Sequence, residues 1–337
     1  MPEQPTQDTA SYVSAAETWF DEHGLPYFIA SVHNDVEAAL RRRQLVSVLL
    51  GAALAAIVVG VIAGLLATDA SVGVLAGLAT LGLLLLAYGW TRLRMRIMAR
   101  WALRRTLGSL GLMFPLLTRA LPLLLLFMTF LFINAEVWQV ASDMDRGVLW
   151  IAVLLFVAVA TGFLLVRLPE EVRTVEHDVD RERLASCCQG TPLETPAAAL
   201  PPDARQASLP SLQRANLVLV LLISQGVQVL LLSLTVFSFF LVFGSVAISG
   251  DVISAWVGHG PTDLPTLGGW SPVSNELFQV AVFLAAFAGL YFTVYAVTDA
   301  TYREQFFTSI SRELEQAIGV HAVYESLRAD GHQQGAG

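Results

Sequence analysis

The chain has 337 residues, of which 55% are hydrophobic and 14% are charged. Soluble domains carry about a quarter charged residues, so this composition excludes an ordinary water-soluble protein and predicts an integral membrane protein. The formal net charge of -8 conceals an uneven distribution, because the 20 basic residues, all arginine, cluster in a few segments. The adjacent Cys187 and Cys188 have the spacing of neither a metal site nor a disulfide framework.

The first 44 residues are more polar than the rest, but they contain an apolar stripe. Tyr12, Ala16, Trp19 and Phe20 recur at helical spacing. We interpret residues 1–44 as a cytoplasmic amphipathic segment that lies on the membrane surface or packs on the base of the bundle. The first apolar run that follows is too long for the h-region of a signal peptide, so it is expected to remain as a signal anchor.

Six apolar segments predict an all-α membrane protein with six transmembrane helices, since about 20 apolar residues cross the hydrocarbon core. The predicted spans are residues 45–67, 71–90, 119–140, 148–166, 214–248 and 276–297. The first four spans thus fall within residues 45–167 and the last two within residues 214–297.

The segments between and after these spans have distinct compositions. Residues 168–213 predict a solvated, charged cytoplasmic helix and then a flexible proline-rich linker. Residues 249–275 contain no basic residue and predict an extracytoplasmic loop with a short interfacial helix. Residues 298–337 predict a cytoplasmic amphipathic helix and tail, attached to the membrane surface or under the bundle.

Small residues recur every four positions in the first two spans, which predicts close packing of two helices. The linker between these spans is very short, so we expect a tight antiparallel hairpin; a homodimerising face is the alternative. The predicted packing residues are Ala52, Ala56, Gly60, Gly64, Gly73 and Gly77.

Residues 91–106 contain a row of arginines at i, i+4 spacing beside a row of apolar residues. This pattern predicts a basic amphipathic helix that contacts anionic lipid headgroups of the inner leaflet. Nucleic-acid binding is the rival interpretation of such a row, and we disfavour it because the helix is tethered to a span and contains Trp and Met. The predicted headgroup contacts are Arg92, Arg96, Arg100, Arg104 and Arg105.

Arginines near the span ends fall almost entirely on one side, with Arg146 alone on the other. By the positive-inside rule, both termini are then cytoplasmic, and the protein is expected in the inner membrane of a bacterial cell.

A few polar residues interrupt the spans, and they could line a path for a small solute or ion. Glu136 is a carboxylate at membrane depth or at the outer interface, and charge at depth often marks a pathway. The candidate path consists of Glu136, Gln139, Ser224, Gln225 and Gln228. The alternative is structural: an interfacial glutamate, and amides near mid-membrane that join helices.

The sequence contains no recognisable catalytic or metal-binding motif in a credible context. His177-Asp178 resembles a metal-dependent phosphohydrolase dyad, but no second His or Asp set accompanies it. We therefore expect no enzymatic activity, no metal and no cofactor.

Three stretches carry a resemblance to a group of actinobacterial multi-pass integral membrane proteins with no established activity. They are Trp19-Phe20 with residues 24–28, residues 119–122 with the Phe-rich run after them, and residues 302–307. The resemblance implies a location and an architecture, but no catalytic residue.

Two functions from different classes follow from these observations. The favoured one is a non-catalytic membrane scaffold or regulator that contacts lipid, a partner protein or a second copy of the chain. The alternative is a channel or transporter that uses the polar path near Glu136.

Overall fold

The structure is a computed structural model that describes residues 5–108, 124–178, 184–199, 209–263, 273–298 and 300–334. These residues are helical and form no strand, apart from an isolated bridge between Asp263 and Ser274. The helices are α1 (Pro5–Glu22), α2 (Ala30–Ala39), α3 (Arg42–Ala67), α4 (Ala70–Arg92), α5 (Met95–Gly108), α6 (Leu124–Phe132), α7 (Ala135–Ser142), α8 (Arg146–Asp178), α9 (Leu184–Cys187), α10 (Glu194–Ala199), α11 (Ser211–Ala247), α12 (Gly250–Val257), α13 (Asn275–Thr298) and α14 (Ala300–Gln334), with a 3-10 turn at Pro26–Phe28.

Five of these helices, α3, α4, α8, α11 and α13, are long and apolar enough to cross a membrane. A sixth crossing exists if the bent pair α6 and α7 is one span. The prediction of an all-α membrane protein is therefore confirmed at the level of five to six candidate spans.

The third predicted span, residues 119–140, is not one straight helix. Helices α6 and α7 meet at an angle of 74°, and the residues between them include Asn134. The side chain of Asn134 accepts a hydrogen bond from the backbone N–H of Glu136 at 2.8 Å. Asn134 thus caps a new helix, which explains why the chain turns inside an apolar run. The predicted start of this span at Arg119 lies outside the described residues.

Two ends of the helix bundle can be distinguished by the short elements that they carry. We call basal the end at which α1, α2, α5 and α14 lie, and distal the end that carries α7 and α12. Between the two ends, the interior of the bundle is formed mainly by α6, α7, α11 and α13. Its largest side chains are Phe132, Trp138 and Phe240, and the rings of Phe132 and Phe240 stack with centroids 4.6 Å apart.

The basal end is a folded unit with its own apolar core, built from both terminal regions and from segments between spans. The N-terminal helix contributes Phe20, α8 contributes Leu168, and α14 contributes Ile318 and Tyr324, all fully buried. Burial of these side chains supplies most of the stability of such a unit, at roughly 2 kcal/mol for each large one. Residues 9–40 therefore pack against the basal ends of the long helices, which agrees with one of the two predicted placements of residues 1–44.

The segment expected to be a solvated helix and then a flexible linker is largely part of this core. Helix α8 continues without interruption to Asp178, and Val172 and Val175 on its extension are buried. Cys187 at the end of α9 is buried in the same core, as are Cys188 and Leu193 in the turn between α9 and α10. The proline content predicted flexibility, but the apolar residues between the prolines, such as Leu193 and Ala197, are buried and hold the segment in place. The last part of the linker, residues 200–208, lies outside the described residues.

Helices α11 and α8 are the two longest candidate spans among the described residues, and both are longer than a hydrocarbon core requires. Helix α11 has 37 residues, which is about 55 Å at ~1.5 Å per residue, against a hydrocarbon core of ~30 Å. Its first three turns carry Asn216, Leu217 and Val220, which are buried against the basal elements. The excess length of α11 therefore lies at the basal end, where its first turns pack in the basal unit.

Candidate functional site: the basic face of α5 and the polar residues of the spans

Helix α5 carries the predicted row of arginines on an exposed face. Arg96, Arg100 and Arg104 are exposed. On the same side, Leu103 and Leu107 are 47% and 48% exposed. A face that combines exposed guanidinium groups with exposed leucines is typical of a helix at the boundary between headgroups and acyl chains.

The opposite face of α5 anchors this helix to the bundle. Met98 and Ala102 are fully buried, and α5 packs mainly along the basal part of α11. Arg105 turns away from the exposed row, because it forms an ion pair with Glu313 of α14 and its guanidinium lies 5.7 Å from the ring centre of Trp101. Arg105 thus joins α5 to α14, although it was predicted from the sequence to contact lipid headgroups.

The turn between α4 and α5 fixes the direction of the basic helix. Arg94 has a left-handed backbone with φ of 54°, and the hydroxyl of Tyr27 donates a hydrogen bond to the carbonyl of Leu93 at 2.8 Å. Burial raises the pKa of Tyr27 above its usual value, which keeps this hydroxyl protonated as a donor. A residue of the N-terminal region therefore holds α5 at its angle to the preceding span.

More arginines adjoin this face at the basal ends of the hairpin helices. Arg41, Arg42 and Arg43 are exposed at the start of α3, and Arg92 is exposed at the end of α4. Trp90, which is 48% exposed, lies half a turn before Arg92. An aromatic ring and arginines at the end of an apolar helix are the usual features of a membrane interface.

Glu136 and Gln139 lie at the distal end, on α7. Glu136 is exposed in the first turn of this helix, where a carboxylate interacts favourably with the helix dipole. The amide of Gln139 donates a hydrogen bond to the carbonyl of Trp256 at 2.9 Å and so connects α7 to α12. Both positions agree with the structural alternative for these residues.

Ser224, Gln225 and Gln228 lie in the basal half of α11. Ser224 and Gln225 are 4% and 2% exposed. Two amide atoms, Nε2 of Gln225 and Oε1 of Gln228, are buried and have no hydrogen-bond partner among the described atoms. Gln225 precedes the end of α11 by 22 residues, about 33 Å of helix. A stretch of this length is comparable to the ~30 Å hydrocarbon core, whereas the sequence predicted these amides near mid-membrane.

The five candidate residues of the polar path therefore form two separate groups. Gln139 contacts α12, which follows the distal end of α11, whereas Gln225 lies about 33 Å away along α11. The residues of α11 that lie between these groups and face the interior, such as Leu232, Val236 and Phe240, are buried and apolar. The structure does not bring the candidates together.

The small residues of the first two spans form a backbone-to-backbone contact between α3 and α4. A Cβ added to Gly60 would lie 2.8 Å from the carbonyl oxygen of Gly73. A Cβ added to Gly77 would lie 3.0 Å from the carbonyl oxygen of Ala56. Gly64 lies against Gly73, and Ala52 and Ala56 are buried. These contacts agree with the predicted hairpin.

Glu276 is a buried carboxylate at the distal end. From the sequence, it was identified only as the first residue of the last predicted span. It is 2% exposed, and its oxygens accept hydrogen bonds from the backbone N–H and the hydroxyl of Thr262, the latter at 2.6 Å. These bonds attach the loop after α12 to the first turn of α13. The hint in the sequence was the position of Glu276 immediately before an apolar run.

A second buried polar group that the sequence did not reveal lies in the basal unit. His321 is 5% exposed, its ring packs edge-on against Phe28, and its Nδ1 has no partner among the described atoms. Burial lowers the pKa of His321 to about 4, and nearby His33 and Arg328 act in the same direction. His33 in turn contacts the amide of Gln213 at 3.2 Å.

No group of three or more His, Cys, Asp or Glu side chains that could hold a metal occurs among the described residues. Cys187 and Cys188 are buried thiols, and burial raises the pKa of Cys188 to about 12. A thiol in this state is a poor nucleophile and a poor metal ligand. The side chains of His177 and Asp178 lie outside the described residues.

Comparisons of this chain with protein-family models, with curated proteins and with solved structures find no match.

Proposed function

We propose that this protein is a non-catalytic membrane scaffold whose basal unit is held against anionic headgroups by the exposed face of α5. The observation that carries the proposal is the exposure of Arg96, Arg100 and Arg104 beside two exposed leucines on a helix that is anchored from its other face. Anionic lipids are abundant in the cytoplasmic leaflet, so the proposal places the basal end and both termini in the cytoplasm of a bacterial cell.

Retention of anionic lipid by the purified protein tests this proposal. The full chain is extracted into detergent from membranes containing phosphatidylglycerol, and the lipid that remains bound is quantified by mass spectrometry. Each interfacial basic residue is worth about 1 kcal/mol, so the double variant Arg96→Gln, Arg100→Gln should bind phosphatidylglycerol roughly thirtyfold more weakly at low salt.

A matched variant separates this face from general electrostatic attraction. Arg173 on α8 and Arg328 on α14 are also basal, but they lie on other elements of the basal unit. The double variant Arg173→Gln, Arg328→Gln should retain phosphatidylglycerol like the wild type. Equal losses in the two double variants would contradict the role of α5.

The second function, a pathway for a small solute or ion, is supported by one observation: Nε2 of Gln225 and Oε1 of Gln228 are buried without a hydrogen-bond partner among the described atoms. The separation of these amides from Glu136 argues against it. Flux of protons, monovalent cations and small neutral solutes into proteoliposomes tests it directly. We expect no flux above that of empty liposomes in either the wild type or Glu136→Ala, and flux that the substitution abolishes would replace the scaffold proposal.

A further inference from the structure

An apolar cavity of about 570 Å³ lies between α8, α11 and α13, within the spanning region. Its wall on α8 runs from Trp150 to Leu164, which is about 21 Å of helix. That length exceeds the ~15 Å of hydrocarbon in one leaflet. The cavity is therefore an elongated slot that runs along the helices.

Small residues on all three helices create this slot. Gly226 of α11, Ala160 of α8, and Ala285 and Gly289 of α13 line it. A Cβ added to Gly226 would meet no atom within 4 Å. Helix interfaces are normally close-packed, because an empty slot forfeits the dispersion contacts of its walls. An occupant is thus expected.

The chemistry of the walls defines the class of that occupant. Among the described residues, no charged side chain lines the cavity. The hydroxyl of Thr293 already donates a hydrogen bond to the carbonyl of Gly289 at 2.8 Å. The other hydroxyls in the wall are those of Thr161 and Ser233. Two hydroxyls cannot replace the hydration shell of an ion or a polar solute, whereas hydrocarbon has no hydration to replace.

The slot opens sideways onto the apolar surface of the spans. Its rim includes Trp150, Val157, Leu230 and Leu234, whose exposed fractions are 43%, 53%, 57% and 49%. Exposed apolar side chains at this depth contact lipid tails. The slot is therefore continuous with the lipid-facing surface, and a chain can enter it without crossing the headgroup layer.

The volume distinguishes an acyl chain from a helix of a second copy. A helix about 10 Å across occupies roughly 1,600 Å³ over a length of 21 Å, which is more than the slot holds. A single extended hydrocarbon chain, about 5 Å across at the contact distances of apolar carbons, occupies roughly 400 Å³ over the same length. We propose that this cavity is a binding site for one acyl chain of a membrane lipid, which fills the slot between α8, α11 and α13.

Photo-crosslinking in lipid tests the proposal on the intact protein. The full chain is reconstituted into nanodiscs with a phosphatidylcholine that carries a diazirine along its acyl chain, irradiated, digested and mapped by mass spectrometry. Floor residues such as Ser233 and Thr293 should carry lipid adducts in the wild type, as well as rim residues such as Leu230. Adducts confined to the rim would overturn the proposal without reference to any variant.

Two glycine substitutions make the test specific. Gly226→Leu places a side chain inside the slot, whereas Gly162→Leu on α8 places one outside it, and an added Cβ at either glycine meets open space. The floor adducts should fall about tenfold in Gly226→Leu, because the leucine occupies the binding volume. They should persist in Gly162→Leu.

Other results would contradict the inference. Floor adducts that remain unchanged in Gly226→Leu would show that the chain does not lie in the slot. Protein–protein crosslinks at the floor in place of lipid adducts would show that a second copy fills it. Circular dichroism and gel filtration of each variant establish that the fold is retained, and the wild-type adduct map stands on its own if Gly226→Leu fails to fold.

Discussion

Asn216 illustrates how single polar residues hold the basal unit to the spans. Its side-chain oxygen accepts a hydrogen bond from the backbone N–H of Tyr27 at 2.9 Å, and its amide donates one to the carbonyl of Gly24 at 3.1 Å. Asn216 itself is fully buried. One side chain of α11 therefore satisfies two backbone groups of the turn after α1.

Replacement of Asn216 by leucine should loosen this attachment. The variant leaves one buried N–H and one buried carbonyl unpaired, each at a cost of about 1–3 kcal/mol. The expected result is a lower apparent melting temperature and faster proteolysis of α1. Asn34→Leu on the exposed side of α2 is the matched control, and equal destabilisation by the two substitutions would contradict the assignment.

The buried His321 predicts a pH dependence of stability. Its pKa is about 4 in the folded protein, lowered by burial and by His33 and Arg328, against about 6.5 when unfolded. The stability that it contributes is therefore complete above pH ~6.5 and is lost as the pH falls through about 4, by up to about 3 kcal/mol. His321→Leu removes this dependence.

Melting temperatures between pH 4 and pH 8 test this expectation. Relative to the wild type, His321→Leu should become progressively more stable as the pH falls, because other titrating groups affect both proteins equally. His259→Leu, in the exposed loop after α12, should follow the wild type throughout. Parallel curves for wild type and His321→Leu would contradict the buried neutral histidine.

At the scale of elements, the α3–α4 hairpin depends on backbone contact through glycine. A Cβ on Gly73 would lie 2.8 Å from the carbonyl oxygen of Gly60, whereas a Cβ on Gly82, in the same helix, would meet open space. Gly73→Ile should therefore separate the two helices and lower the melting temperature. Gly82→Ile should leave the melting temperature near the wild-type value. A comparable decrease in both variants would show that the loss of any glycine destabilises the hairpin, whether or not it lies at the helix contact.

The hairpin could be predicted because its signal is local. Ala52, Ala56, Gly60 and Gly64 recur every four residues, and only residues 68 and 69 separate the two helices. The bend at Asn134 could not be predicted in the same way, because asparagine in an apolar run is compatible with both a continuous span and a capped new helix. The structure has the capped new helix, in which Trp138 is buried against Phe132.

At the scale of the whole molecule, the sequence did not predict which of the polar segments pack against one another. The amphipathic character of the N-terminal segment, of α5 and of the C-terminal helix was visible in the sequence. The contacts between them were not, because Tyr324 and Glu17, whose side chains hydrogen-bond at 2.7 Å, are 307 residues apart. Partners at such separations leave no periodic signal in a single chain. The acyl-chain slot could not be predicted for the same reason, because its walls come from three helices that are distant in the sequence.

The basal unit also determines how the orientation of the chain must be tested. Cys187 and Cys188 are 7% and 0% exposed, and burial raises the pKa of Cys188 to about 12. Reaction with maleimide requires an accessible thiolate. The native cysteines should therefore remain unlabelled by an impermeant maleimide on either side of the membrane, and labelling should appear after denaturation.

Introduced cysteines at opposite ends of the bundle then report the topology. Glu37 is exposed on the basal helix α2, and His259 is exposed in the distal loop after α12. If the basal end is cytoplasmic, as the arginines near the span ends predict, Glu37→Cys reacts only in inside-out vesicles and His259→Cys reacts in intact cells. The reverse pattern would invert the protein in the membrane. It would also place the arginines of α5 against the outer leaflet, which removes the basis of the scaffold proposal, while the acyl-chain site would be unaffected.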